Sequence, residues 1–88
     1  MAYIITVRKK SDESNSLVKN LVVTDSLHKA VAYVIRLRGE RNPLFDNGIL
    51  KFQSPDALDA YGPGEIKSPV LLFSSDFYRA YAENIVIL

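Results

Sequence analysis

Hydrophobic and polar side chains alternate at the start of the chain. Tyr3, Ile5 and Val7 share one face of an extended segment, and Ile4, Thr6 and Arg8 share the other. The run is rich in β-branched residues and predicts a strand over 3–7. Residues 17–24 predict a second strand, with Leu17, Lys19, Leu21 and Val23 on one face. The polar stretch 11–16 between them has no apolar anchor, so an antiparallel hairpin with a long loop is expected. The period then changes. Leu27, Ala30, Val31, Val34 and Leu37 recur at helical spacing, with Ile35 at the edge of the stripe. Asp25 or Ser26 offers an N-cap, Gly39 offers a left-handed stop, and Arg36 and Arg38 sit near the negative end of the dipole. These signals predict one amphipathic helix over 26–38, and its apolar face requires a sheet to lie on.

The second half is read in shorter pieces. Pro43 and the Asn47-Gly48 turn bound a connection that Leu44 and Phe45 are expected to fasten to the core. Residues 49–52 predict a short strand. Ser54, Pro55, Asp56 and Gly62 fit the cap, first position, dipole end and stop of about two helical turns. Residues 66–73 predict a strand whose 70–73 stretch lacks alternation, as burial on both faces requires. Ser74 and Ser75 are placed to cap a third helix over 76–83. Its inner face would be Phe77, Ala80 and Tyr81, with Arg79 and Glu83 as an i,i+4 pair. An apolar strand over 85–88 ends the chain and is expected to pair within the sheet. The order ββαβαβαβ is that of an α+β domain. Its sheet is mixed or mainly antiparallel, with about five strands, packed by one main helix and two short ones. Two strands before any helix disfavour a ferredoxin-like order. Without repeat or linker, residues 1–88 read as a single domain.

Composition narrows the chemistry. The 88 residues contain no cysteine and one histidine, which excludes disulfides, thiolate metal sites, thiol nucleophiles and histidine clusters. No apolar run approaches the roughly 18 residues that span a bilayer. At the N-terminus the charge follows the apolar run, the wrong order for a secretory signal, so a cytoplasmic protein without membrane attachment is expected. The net charge of +1 predicts no strong general attraction to nucleic acid. It hides an asymmetry: residues 1–44 carry eight bases against four acids, and residues 45–88 carry three against six. The asymmetry disappears if the halves interleave, which is the expectation for so small a domain.

One surface stands out. Opposite the apolar stripe of the long helix lie His28, Lys29, Ala32, Tyr33 and Arg36, with Arg38 and Arg41 just beyond. Lys29, Tyr33, Arg36, Arg38 and Arg41 form the candidate interaction surface. Cations around an aromatic ring suit an acidic protein, and secondarily phosphates and a stacked base. A solvated helix face whose C-terminal bases complement the dipole also accounts for them. His28 has no second histidine or cysteine to work with. Asp46, Asp56, Asp59 and Glu65 would serve an enzyme only as a pair within one pocket, and no motif places them there. Gly62-Pro63-Gly64 lacks the spacing of a phosphate cradle. No metal or cofactor is expected. The reading is a small non-enzymatic protein-interaction module, an inhibitor or adaptor acting on a larger protein. The alternative is a nucleic-acid-binding domain using the same helix face, helped by Arg8, Lys9 and Lys10. Small cysteine-free domains of this kind are common among phage and mobile-element proteins that block host machinery, an expectation from size alone. An edge strand, such as the N-terminal one, would offer a route to a homodimer.

Overall fold

The computed structural model describes residues 2–10, 15–62 and 64–86. The expected loop tip at 11–14, Pro63 and the end of the expected last strand lie outside the described residues. Strands β1 (Ala2–Lys10) and β2 (Asn15–Thr24) form the antiparallel hairpin, and helix α1 (Leu27–Gly39) follows. A 3-10 turn (Pro43–Phe45), strand β3 (Ile49–Leu50) and a second 3-10 turn (Pro55–Ala60) lead to β4 (Val70–Ser74) and β5 (Tyr78–Ile85). The sheet runs β2-β1-β5-β4-β3, with every neighbouring pair antiparallel. The fold is α+β, with five strands and one main helix.

The third helix expected over 76–83 is a correction: this segment is the central strand β5. The same residues satisfy two periods. Phe77, Ala80 and Tyr81 fit a helical face, but Ala80 and Ala82 also alternate with Arg79, Tyr81 and Glu83. Tertiary packing selects the second. Ala80 and Ala82 are fully buried, whereas Phe77 is 69% exposed in the turn before the strand. The serine expected as a helix cap performs the same chemistry in a hairpin turn. Ser75 Oγ accepts the backbone N–H of Phe77 at 3.3 Å and of Tyr78 at 3.0 Å. The strand expected over 66–73 is shorter, because Pro69 has no N–H to give a ladder. Where β4 is missing, Ser68 Oγ accepts the N–H of Asn84 instead, at 2.8 Å. The turns over 55–60 are 3-10 rather than α-helical.

Helix α1 begins as expected, with Ser26 Oγ accepting the N–H of Lys29 at 3.2 Å. Its end is displaced. Gly39 is the last helical residue, and the left-handed position falls on Arg41, with φ of 59°. The N–H of Arg41 reaches the carbonyl of Arg38, and that of Asn42 reaches Leu37. This is a Schellman closure with arginine where glycine is favoured.

The helix covers one face of the sheet. Cross-strand partners share a face, so the register sorts the side chains. Ile5, Ala82 and Val70 form one inward row, and Val7, Ala80, Phe73 and Leu50 the next. All seven are buried, against Ala30, Val31, Val34 and Leu37 of α1. Phe45 plugs the corner with its ring centroid 5.1 Å from that of Phe73, edge to face. Leu58 of the second 3-10 turn closes the other side of the core.

The two halves of the chain do not interleave in the sheet: β2 and β1 form one flank, and β5, β4 and β3 the other. The N-terminal strand is internal, so the long free edge belongs to β2 rather than to β1. That edge is irregular. Leu21 and Val22 together oppose Ile5, and Val18 is an extra residue between the Val7 and Arg8 pairings.

Two substitutions test this packing. A methyl group at Gly48 would overlap the ring of Phe73 and come within 2.8 Å of the Ser74 carbonyl. Gly48→Ala should therefore cost about 1–3 kcal/mol in urea denaturation. Arg41→Gly should raise stability by roughly 1 kcal/mol by relieving the left-handed arginine.

Candidate interaction surface

The helix surface brings together part of the expected set. Lys29, Tyr33 and Arg36 line a shallow groove of about 300 Å³ between α1 and β2, with Val22, Thr24 and Ala32. The Arg36 guanidinium lies 4.9 Å from the centre of the Tyr33 ring. Tyr33 is half-buried and packs against the core. The cations have partners on their own helix. Lys29 Nζ is 2.9 Å from Asp25 Oδ1, and Arg36 Nε is 3.7 Å from Glu40 Oε1. The hydrogen bond from Lys29 holds the Asp25 carboxyl below the usual aspartate range. Arg38 and Arg41 are exposed outside this groove. At 100° per residue Arg38 lies about 180° around the helix from Lys29. His28 Nε2 stands 2.9 Å from Asp59 Oδ1 and ties α1 to the second 3-10 turn.

Because residues 78–85 form a strand, the molecule has a second candidate surface. Among the described residues, no helix packs on the other face of the sheet. Register places its side chains in rows. The first crosses all five strands: Leu17 on β2, Arg8 on β1, Arg79 on β5, Ser74 on β4 and Ile49 on β3. The second holds Asn20, Thr6, Tyr81 and Leu71, and the third Val23, Ile4 and Glu83. Large apolar side chains stand open at its rim: Leu17 and Val23 are each 49% exposed, and Ile49 is 74% exposed.

The middle of this face is tied together by charge. Thr6 Oγ1 donates to Glu83 Oε2 at 2.7 Å, and Arg8 Nη2 donates to the same oxygen at 3.1 Å. Arg8, Glu83, Tyr81 and Pro69 together line a depression of about 260 Å³. Thr6 is only 3% exposed although it sits on the uncovered face. The Thr6 hydroxyl holds the Glu83 carboxyl below the usual glutamate range, reinforced by Arg8 and opposed by partial burial. Arg79 and Glu83, expected as a helical pair, are instead on one strand face with Tyr81 between them. The period-2 alternation over 78–85 was the signal that could have shown this.

The remaining chemistry is dispersed. Asp46, Asp56, Asp59 and Glu65 are all exposed. Asp59 is taken by His28, Asp46 borders a cleft near Phe77, and Glu65 borders another beside Tyr61. Among the described residues, no three histidine or acidic side chains converge to hold a metal ion. No helix among them is long and apolar enough to cross a membrane. No family model, curated protein or solved structure matches the chain.

The Glu83 contacts give a pH dependence of known sign. The folded carboxyl titrates below its unfolded value. Its contribution is therefore complete above the unfolded value and is lost as pH falls through the lowered folded one. Between pH 7 and pH 3 the native protein should lose about 1–2 kcal/mol more than Glu83→Gln, read from urea midpoints at each pH.

Proposed function

We propose that the protein is a non-enzymatic interaction module that binds an acidic segment of a larger protein on the uncovered face of its sheet, as a small inhibitor or adaptor would. The observation that carries this reading is the row Leu17, Arg8, Arg79, Ser74 and Ile49, with apolar side chains at both ends and two arginines at its centre. Exposed apolar groups around arginine and tyrosine anchors are the composition of a protein interface. Charge supports the choice of partner. Along β1 and β5 the face carries Arg8, Lys10 and Arg79 against the single acid Glu83. A second copy would bring the same positive excess against itself, whereas an acidic segment would neutralise it.

The helix face is less suited to the task. Asp25 and Glu40 already offset Lys29 and Arg36 there, which weakens the attraction that a nucleic-acid backbone would need.

A photo-crosslinking residue placed at Tyr81, and separately at Ala32 on α1, tests the assignment in nuclease-treated lysate of the native host. A defined protein should crosslink at position 81, and Arg79→Glu should abolish its capture. Crosslinking only from position 32, or capture that disappears with nuclease, would overturn the proposal.

A further inference from the structure

We infer that Arg8 and Arg79 together form a site for an oxyanion presented by the partner, which specifies the recognised group and rests on the reading of the uncovered face as the docking surface. The two arginines are direct cross-strand partners on β1 and β5. Like charges in this relation destabilise a sheet, and directly opposed residues have Cβ atoms only about 5 Å apart. The surrounding structure answers this repulsion for one of them. Glu83 accepts from Arg8, two rows along the same face, and lies on the far side of Tyr81 from Arg79. Arg79 is half-buried, and among the described residues its guanidinium has no hydrogen-bond or ion-pair partner. A half-buried cation facing a second cation breaks a local rule of sheet design, and such breaks concentrate where a ligand supplies the missing charge.

The neighbours have the right chemistry. Ser74 is the pairing partner of Arg79 on β4 and contributes a hydroxyl group to the row. Lys10 follows Arg8 by two residues on the same face. Guanidinium groups bind carboxylate and phosphate through paired N–H donors. The ends of the row define the rest of the ligand. With strands about 4.8 Å apart, Leu17 and Ile49 stand about 19 Å from each other. The segment that fits has an acidic or phosphorylated residue at its centre and apolar residues on both sides.

The test follows the arginine Nε–Hε resonances by NMR while inorganic phosphate, and separately acetate, is titrated into the intact protein. Arg8 and Arg79 should shift saturably, while Arg36, Arg38 and Arg41 stay still. Arg79→Gln, checked for folding by its backbone spectrum, should weaken phosphate binding at least roughly tenfold, with partial recovery in Arg79→Lys. Tighter binding of phosphate than of acetate would identify a phosphorylated group, and parity would identify a carboxylate. Equal shifts at all five arginines, or a folded Arg79→Gln that binds as the native chain does, would overturn the site. The two readings fail separately. Continued crosslinking at position 81 with no selective arginine response would remove the oxyanion site and leave the module. A selective response with no captured protein would do the reverse.

Discussion

The central strand has to be thin on the side that faces the core. β5 lies between β1 and β4, both of which α1 packs against, so its inward side chains have little room. Ala80 and Ala82 meet that limit with single methyl groups and full burial. A larger residue at either position would overfill the buried cluster that Ala80 and Ala82 share with Val31, Val34 and Phe73. The outward positions of the same strand meet no such limit and carry Arg79, Tyr81 and Glu83. Core and candidate site are therefore built from alternate residues of one eight-residue strand.

That economy also explains what the sequence concealed. Alanine favours helices, and Ala80 and Tyr81, three and four residues after Phe77, read with it as a helical face. The strand assignment depends on its pairing with β1 at the other end of the chain, from Ala2 opposite Ile85 to Lys9 opposite Tyr78. Elements fixed by local chemistry were legible: the first hairpin, the Ser26 cap, the stripe from Leu27 to Leu37 and the buried Phe45. The left-handed closure at Arg41 was not, because Gly39 offered a plausible local stop two residues too early. The grouping of Lys29, Tyr33 and Arg36 on one helix face follows from helical spacing, whereas the groove they line also needs Val22 and Thr24 of β2. The row from Leu17 to Ile49 joins five strands and required their pairing to be known.

The two faces treat charge differently. On α1, Lys29 and Arg36 are matched by acids within one turn, so their fields largely cancel locally. On the sheet, Glu83 gathers Thr6 and Arg8 into one contact and leaves Arg79 outside it. A charge held in place by a β-strand costs less side-chain and backbone entropy to present to a ligand than one on a mobile loop. The sheet thus offers a preorganised surface, whereas the helix offers ion pairs that solvent and salt readily loosen.

The irregular outer strand has a consequence for how the molecule meets others. Sheet proteins can polymerise when a straight free edge templates another strand, hydrogen bond by hydrogen bond. Here the bulges at Val18 and at Leu21-Val22 cut the outer ladder of β2 into short runs. A straight incoming strand would fall out of step at each of them. At the opposite edge, β3 is only two residues long. Neither edge of the sheet therefore presents the long, straight ladder that strand-by-strand stacking into fibrils requires.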